Sequence, residues 1–282
     1  MKTKTMHVDE IRDAVAAMCK RANFDLSEDM RAALEAAAKL ETRAIAKNTL
    51  QRIQQNADIA RQRQLPMCQD TGLVVMFADV GQDMQILGGT LRDAIDEGVR
   101  KGYREGYLRA SVTGDPIQRE NTGDNTPTIL HTELVAGDRL RLRLLAKGGG
   151  CENMSRFKML TPADGREGIV DFVVSTATLA GPNACPPIVV GVGIGGSFEY
   201  SAVLSKKSLL RRLGERSPLP HVAELEDQIL EKINASGIGP QGYGGKTTSL
   251  AVQIEVGGCH VASLPVSVNI ECHAHRHQEI IL

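Results

Sequence analysis

The stretch Ile188-Val-Val-Gly-Val-Gly-Ile-Gly-Gly196 carries a run of β-branched residues directly into a glycine-rich loop. A short apolar run that ends in turn residues is typical of a strand buried on both faces of a sheet. Earlier in the chain, Leu73–Val80 is a second run of this kind. Because helical patterns lie around and between these two runs, we predict an α/β fold with a mixed sheet and flanking helices.

The first sixty residues of the chain have a different periodicity. Its apolar residues recur at the spacing of one helix face, and a third predicted helix extends from about Thr42 to Gln62. The dipeptide Leu65-Pro66 ends this pattern, since proline cannot continue a helix. We therefore predict a helical amino-terminal subdomain, residues 1–64, packed on an α/β body, residues 65–282.

The remaining elements follow from the same periodicities. The segments Leu130–Val135 and Arg139–Ala146 are predicted to be strands joined by the turn Ala136-Gly137-Asp138. The pattern of Ile169–Leu179 fits a helix and a strand equally well. Other predicted helices are Thr90–Tyr107, Tyr200–Leu213 and Ala223–Ala235, and the closing strands are Leu250–Val256 and Leu264–Ile270.

Composition excludes several classes of protein. The 282 residues include 33 Lys and Arg against 34 Asp and Glu, and this net charge of −1 argues against a nucleic-acid-binding protein. No apolar run approaches the roughly 20 residues that a membrane span needs. The polar start Met1-Lys-Thr-Lys-Thr-Met-His7 is not a signal peptide. We expect a cytoplasmic protein without nucleic-acid or membrane partners.

The glycine loop Gly191-Val-Gly193-Ile-Gly195-Gly196 matches the pattern of a dinucleotide-binding turn between a strand and a helix. The acidic residue that should follow about 20 positions later falls instead in the charged turn Leu213–Pro218. A nucleotide-dependent oxidoreductase therefore stays an alternative. The plainer interpretation is that these glycines let the backbone approach a ligand or partner closely, with the N-terminus of the following helix available to an anion.

The chain has six cysteines and no CxxC pair, so we expect reduced thiols rather than a disulfide framework. Cys68, Cys185 and Cys272 lie where helices or strands end, and such positions often carry function. Taken alone, a cysteine at such a position is more often a small buried apolar residue than a ligand. Cys19 lies on a helix face and is predicted to be core, while Cys151 remains open between these roles.

Three histidines alternate near the carboxyl terminus, at positions 273, 275 and 277. On an extended segment, His273, His275 and His277 would share one face, where zinc or nickel could bind. A structural metal-binding protein is thus a further alternative.

Five motifs in a fixed order connect the chain to a known family. They are Cys68-Gln-Asp-Thr-Gly72, Asn121-Thr-Gly-Asp-Asn-Thr-Pro127, Lys147-Gly-Gly-Gly-Cys-Glu-Asn-Met-Ser155, Asn183-Ala-Cys-Pro-Pro187 and Gly237-Ile-Gly-Pro-Gln-Gly242. Together they resemble the α subunit, or amino-terminal half, of the iron–sulfur hydro-lyases, the class I fumarases and L(+)-tartrate dehydratases. The resemblance extends from about residue 10 to the end.

The resemblance implies a [4Fe–4S] cluster held by three thiolates, which match Cys68, Cys185 and Cys272. With three protein ligands for four irons, one iron stays open to substrate, as a catalytic metal site requires. Such an iron acts as a Lewis acid on a substrate hydroxyl.

The same resemblance implies roles for further residues. Asp70 and His260 match catalytic positions, and a histidine held structurally on a strand is the alternative for His260. The glycine run of the third motif would offer backbone N–H groups to an anion. The implied substrate-binding residues are Gln69, Arg109, Gly149 and Gly150.

The implied reaction is the reversible hydration of a C4 dicarboxylate, fumarate plus water to (S)-malate, with dehydration of tartrate to oxaloacetate as the alternative. Cys151 is typical of the tartrate enzymes, whereas Glu152-Asn-Met-Ser155 is typical of the fumarases.

In the resembling family, the other half of the site lies on a carboxy-terminal domain or on a separate β subunit. The resemblance implies Arg109, in Tyr107-Leu-Arg-Ala-Ser111, as a cationic anchor for one end of a dicarboxylate and places no second arginine or lysine at the site, and the sequence stops at Leu282. We therefore expect a separate β subunit and an α₂β₂ assembly.

Overall fold

The computed structural model of the chain describes residues 4–282. Met1–Thr3, on which the signal-peptide prediction partly rests, lie outside the described residues. The helices are α1 Val8–Phe24, α2 Glu28–Leu40, α3 Ala44–Arg63, α4 Leu91–Glu105, α5 Gly149–Glu152, α6 Gly165–Ala180, α7 Phe198–Ser208 and α8 Pro220–Ala235. The strands are β1 Lys4–His7, β2 Leu73–Gly81, β3 Met84–Leu87, β4 Ile129–Val135, β5 Leu140–Lys147, β6 Arg156–Leu160, β7 Ile188–Gly195, β8 Ser249–Gly257, β9 Leu264–Glu271 and β10 His277–Ile281. The predicted α/β class with mixed sheets is confirmed.

The chain divides into two compact units. Unit 1 contains the described residues up to Leu26, together with Ala57–Gly149 and Arg276–Leu282. Unit 2 contains Ser27–Asn56 and Gly150–His275. This partition differs in kind from a helical subdomain of residues 1–64, and the boundary at residue 64 stays a prediction. Among residues 4–282, no helix has the length and apolar character needed to cross a membrane.

Unit 1 is built on the four-stranded sheet β10-β5-β2-β4. β2 pairs in parallel with β4 and antiparallel with β5, so β4 and β5 form as predicted but do not pair with each other. The apolar run of β2 supplies the central strand between them. Helix α1 packs closely on α4, because a Cβ at Gly98 would lie 2.6 Å from the Cβ of Val15.

Unit 2 is built on the sheet β6-β9-β7-β8, in which β7 is parallel to β8 and antiparallel to β9. Segment 169–179, which the sequence left open, lies within helix α6. Its apolar residues Ile169, Val170, Val173 and Ala177 are buried at helical spacing in the core of this unit.

Helix α7 crosses β7 at the glycine loop. A Cβ at Gly191 would lie 2.3 Å from the carbonyl oxygen of Ser205, and one at Gly193 would lie 1.9 Å from that of Ser201. These two glycines are therefore needed for helix packing, and their backbone is covered by α7. A pyrophosphate requires an open backbone at these positions, so the structure does not support the nucleotide-binding alternative.

Candidate active site

The segment Cys68–Gly72 leads into β2 in unit 1 and is held by hydrogen bonds from several elements. The backbone nitrogen of Met67 donates to the carbonyl oxygen of Asn23 at 2.9 Å. The Tyr103 hydroxyl donates to the carbonyl oxygen of Thr71 at 2.8 Å. The guanidinium of Arg276 donates to the carbonyl oxygen of Asp70. Cys68 and Asp70 are thus placed by fixed backbone, with both side chains half-buried.

The Asp70 carboxylate joins the start of β2 to the end of β5. Its Oδ1 accepts from the backbone nitrogen of Gly72 at 3.0 Å, and its Oδ2 accepts from that of Gly149 at 2.8 Å. The two strands meet here because Leu73 pairs with Lys147. An ionised carboxylate offers about four lone-pair sites, so each oxygen retains capacity for a further hydrogen bond.

Arg109 lies beside this segment. Its carbonyl oxygen accepts from the Thr71 hydroxyl at 2.8 Å, and its side chain is exposed. Asn125, from the second motif, is fully buried and donates to the carbonyl oxygen of Gly72 at 3.1 Å while accepting from the nitrogen of Ser111 at 2.8 Å. The structure therefore brings the first motif, the second motif and Arg109 together in unit 1.

The glycine run after β5 is exposed at Gly149 and Gly150. A Cβ at Gly150 would meet no atom within 4 Å. The nitrogen of Gly149, which the sequence assigned to an anion, instead donates to Asp70. Gln69 is also exposed.

Cys185 and Cys272 lie at the same end of the two central strands of the sheet in unit 2, β7 and β9. Cys185 comes three residues before β7, Cys272 comes directly after β9, and these strands are antiparallel with Val189 opposite Glu271. The two segments are joined by His273, whose Nδ1 donates to the carbonyl oxygen of Cys185 at 2.9 Å. Cys185 is exposed and adopts a left-handed conformation with φ of 52°.

The motif segment Cys151–Ser155 runs along the end of β9. The nitrogen of Ile270 donates to the Ser155 hydroxyl at 3.1 Å, and the amide of Asn269 donates to the Glu152 carboxylate at 3.0 Å. The thiol of Cys151 lies 3.6 Å from Oε1 of Glu271. In consequence, Cys151, Glu271 and Cys272 bring ligand atoms within 4.8 Å of one another. The sequence left Cys151 open and did not select Glu271, because no spacing relates these residues along the chain.

His260 lies near the opposite end of β9, in the loop that precedes this strand. It is exposed in the loop between β8 and β9, and its Nδ1 accepts from the nitrogen of Ala262 at 3.1 Å. The eight residues of β9 separate this loop from Cys272, which is about 23 Å at the usual rise of a strand. Within one chain, the structure does not bring His260 to the end of the sheet where Cys185 and Cys272 lie.

The alternating histidines do not form the metal site that was considered as an alternative. The Nδ1 of His273 donates to Cys185, and the Nε2 of His275 donates to the carbonyl oxygen of Leu209 at 2.8 Å. Within residues 4–282, the convergent group of three potential ligands contains none of these histidines. Their positions reflect hydrogen bonding to backbone, which alternation alone cannot distinguish from metal binding.

Two further buried residues, Cys19 and Arg276, differ in role: the first belongs to the core and the second contacts the candidate site. Cys19 is fully buried, as predicted, and this burial raises the pKa of its thiol to about 12, so it stays protonated. Arg276 is 2% exposed and donates to the carbonyl oxygen of Asp70, a role that no sequence pattern predicted. An arginine near a chain end carries no sequence signal of burial.

Comparison with known proteins agrees with these motifs. Residues 12–281 match the family model described as Fumarate hydratase (Fumerase). A protein named putative L(+)-tartrate dehydratase subunit alpha, from Methanocaldococcus jannaschii, is 44% identical over 95% of each chain. The L(+)-tartrate dehydratase subunit alpha of Escherichia coli O157:H7 is 33% identical over 99% of this chain and 93% of its own, and that of strain K12 is 32% identical over the same shares. The chain therefore belongs to the fumarate hydratase family of hydro-lyases.

Proposed function

We propose that the chain is the iron–sulfur subunit of a hydro-lyase that interconverts fumarate plus water and (S)-malate. One observation carries this proposal: Asp70, next to Cys68 in sequence, is hydrogen-bonded to the glycine run at Gly149, while Thr71 is hydrogen-bonded to Arg109. Two motifs and Arg109, which are separate in the sequence, thus meet in one region of unit 1, where the first motif supplies a thiol and a carboxylate and the third motif supplies the nitrogen of Gly149.

The donor set fits an iron–sulfur cluster. None of the six cysteines forms a disulfide, and Cys68, Cys185 and Cys272 are each exposed or half-exposed at the end of a strand or turn. Cys19, in contrast, is buried with a raised pKa. We assign the three accessible thiols as ligands of a [4Fe–4S] cluster. When bound, the cluster supplies an iron without a protein thiolate, a Lewis acid that makes hydroxide a tolerable leaving group.

Asp70 is assigned as an acid–base group. Its two oxygens are held by the nitrogens of Gly72 and Gly149, and a remaining lone pair on Oδ1 or Oδ2 can take a proton from substrate. The exposed guanidinium of Arg109 suits a substrate carboxylate because its planar fork binds both oxygens. Gln69 is assigned to the substrate through its exposed amide, which can donate and accept.

Gly149 and Gly150 are assigned to the same substrate region. Because Gly149 donates to Asp70, we expect its contribution to be the placement of that carboxylate. Gly150 has open space around it, so a ligand can approach its backbone closely.

His260 stays a proposed catalytic residue. Since its Nδ1 accepts a hydrogen bond, the neutral ring carries its proton on Nε2, which can donate to a substrate oxygen. Its distance along β9 from Cys272 means that this role requires a second protein chain to bring the two together.

Tartrate is the second candidate substrate. The curated relatives at 44% and 33% identity carry the name L(+)-tartrate dehydratase subunit alpha. Cys151, which is buried beside Glu271, is also the residue typical of those enzymes in its motif. Dehydration of L(+)-tartrate to oxaloacetate uses the same groups on a substrate with one more hydroxyl.

A partner β subunit completes this proposal. The relatives are named as alpha subunits, and a dicarboxylate needs a cationic group at each end. Arg109 supplies one, and we assign the second to a β subunit in an α₂β₂ assembly. The six cysteines form no disulfide, as is typical of proteins in a reducing compartment, and this supports a cytoplasmic location.

The test is a steady-state assay of the reconstituted chain, purified anaerobically with and without a co-expressed β subunit. We expect turnover of malate, fumarate or L(+)-tartrate by the complex, and little by the chain alone. Turnover of L(+)-tartrate without that of malate would select the second candidate. No turnover of any C4 hydroxy acid by an iron-loaded complex would contradict the proposal.

A further inference from the structure

Unit 2 contains a convergence of metal-binding atoms that the proposed cluster does not use in full. The thiol of Cys151, Oε1 of Glu271 and the thiol of Cys272 all lie within 4.8 Å of one another. Glu271 Oε1 is 3.6 Å from the Cys151 sulfur and 3.9 Å from the Cys272 sulfur. Two of these residues, Cys151 and Glu271, have no role in the proposed hydro-lyase reaction.

The two sulfur–oxygen separations are close to the edges of a tetrahedral metal site. Bond lengths of about 2.3 Å to sulfur and about 2.0 Å to oxygen place a sulfur and an oxygen ligand about 3.5 Å apart, and two sulfurs about 3.8 Å apart. The two sulfur–oxygen separations around Glu271 are within about 0.4 Å of that value. The two sulfurs lie within 4.8 Å of each other, so a side-chain movement of about 1 Å or less brings all three atoms to the separations of a tetrahedral site.

The surroundings hold these donors in place. Glu271 is fully buried and Cys151 is 5% exposed, whereas Cys272 is half-exposed. The hydrogen bonds that join Glu152 to Asn269 and Ser155 to Ile270 fix the Cys151 segment against β9. An ion can thus enter beside Cys272, and water can occupy its fourth position, as in an open tetrahedral site.

We propose that Cys151, Glu271 and Cys272 form a mononuclear site for a thiophilic divalent cation of the Zn²⁺ or Fe²⁺ class. Binding releases the two thiol protons to solvent and leaves two thiolates and a carboxylate on the metal. The site shares Cys272 with the cluster, so the single ion and the cluster exclude each other. Only this exclusion rests on the proposed function.

Co²⁺ is the probe, because a tetrahedral thiolate site gives it charge-transfer and d–d absorption bands. It is titrated anaerobically into the reduced, cluster-free full-length chain. We expect one equivalent to bind with these bands, and Cys151→Ser and Glu271→Gln each to weaken binding by about tenfold or more. Cys259→Ser, which removes an exposed thiol elsewhere, is the matched control and should bind like the wild type. Circular dichroism establishes that each variant is folded.

The cluster variants separate this inference from the proposed function. Cys68→Ser and Cys185→Ser should retain the Co²⁺ spectrum, since neither residue belongs to the site. A spectrum that needs Cys68 and Cys185 but not Cys151 would overturn the mononuclear site while supporting the cluster ligands. Two results would instead contradict the cluster assignment and leave the mononuclear site supported. They are Co²⁺ binding that depends on Cys151, and a normal cluster after reconstitution of Cys185→Ser.

Exclusion is measured by loading the chain with one equivalent of Zn²⁺ before cluster reconstitution and then determining iron. We expect iron incorporation to fall severalfold in the wild type and much less in Cys151→Ser. Equal iron incorporation with and without Zn²⁺ in the wild type would show that the two metals do not compete for Cys272.

Discussion

The carboxylate of Asp70 lies 2.8 Å from the backbone nitrogen of Gly149, so a side chain at the start of β2 is tied to the first residue of the exposed glycine run. The same carboxylate accepts from the nitrogen of Gly72, whose own close approach to Lys147 leaves no space for a Cβ. Asp70 therefore has two roles that experiments can distinguish. It holds the backbone of Gly72 and Gly149, and it presents a carboxylate next to Cys68.

Asp70→Asn should retain the fold and lose turnover. The asparagine amide has one acceptor oxygen, so one of the two hydrogen bonds to Gly72 and Gly149 is lost. We therefore expect the free energy of unfolding, measured in urea, to fall by about 1–3 kcal/mol. Loss of the ionised oxygen should lower kcat by about a hundredfold or more. Asp115→Asn is the matched control, because Asp115 also accepts two backbone N–H bonds, from Ile117 and Gln118, in an exposed loop. Full turnover by Asp70→Asn would remove Asp70 from the catalytic groups.

Replacing any proposed cluster ligand should remove the cluster. Cys68→Ser, Cys185→Ser and Cys272→Ser are each expected to give colourless protein without hydro-lyase activity, since serine does not replace a thiolate on iron. The control, Cys259→Ser, should remain brown and active. Iron analysis after anaerobic reconstitution is the measurement, and a normal iron content in one of the three variants would exclude that residue as a ligand.

Gly193→Ala should destabilise the chain because α7 leaves no room for a methyl group. A Cβ there would lie 1.9 Å from the carbonyl oxygen of Ser201, and we expect a loss of about 3 kcal/mol. Gly258→Ala is matched, since its Cβ would meet no atom within 4 Å, and should change stability by less than about 0.5 kcal/mol. Equal urea midpoints for the two variants would contradict the packing role of Gly193.

The buried thiol of Cys19 should make stability fall at alkaline pH. Its pKa is raised from 9.0 to about 12 by burial, so between these values the unfolded chain has lost a proton that the folded chain keeps. The contribution is complete below pH 9 and declines above it, by up to about 1.4 kcal/mol per pH unit. The measurement is the free energy of unfolding of wild type and Cys19→Ala across this range. Parallel pH profiles would show that Cys19 does not titrate in this way.

Arg276→Lys should disturb the segment that carries Cys68. Lysine keeps the charge but cannot reproduce the bonds of a buried guanidinium to the carbonyl oxygen of Asp70 and the amide oxygen of Asn23. We expect a loss of about 3 kcal/mol in urea denaturation. Arg141→Lys, at an exposed ion pair with Glu279 on the same sheet, should cost less than about 1 kcal/mol. Similar losses for both variants would mean that burial of Arg276 has little energetic consequence.

The sequence determined the elements because hydrophobic periodicity is local. Helices α1 to α4 and strands β2, β7 and β9 lie close to where their apolar patterns predicted them. Cys19 was assigned to the core for the same reason, and the motifs identified the family without any geometry. Strand pairing was not predicted: β2 lies between β4 and β5, and this order depends on long-range contacts that a turn sequence does not encode.

The tertiary structure alone decided what the individual site residues touch. Strand register brings Leu73 opposite Lys147 and Val189 opposite Glu271, and thereby places Asp70 against Gly149 and Cys185 beside His273. The glycines at 191 and 193 read as a ligand loop in sequence but serve helix packing, because only the position of α7 shows what covers them. Burial of Arg276 and the approach of Cys151 to Glu271 likewise arise from distant segments meeting in the folded chain. Residue spacing specifies neighbours along a helix or strand, whereas contacts between elements follow from how whole faces pack.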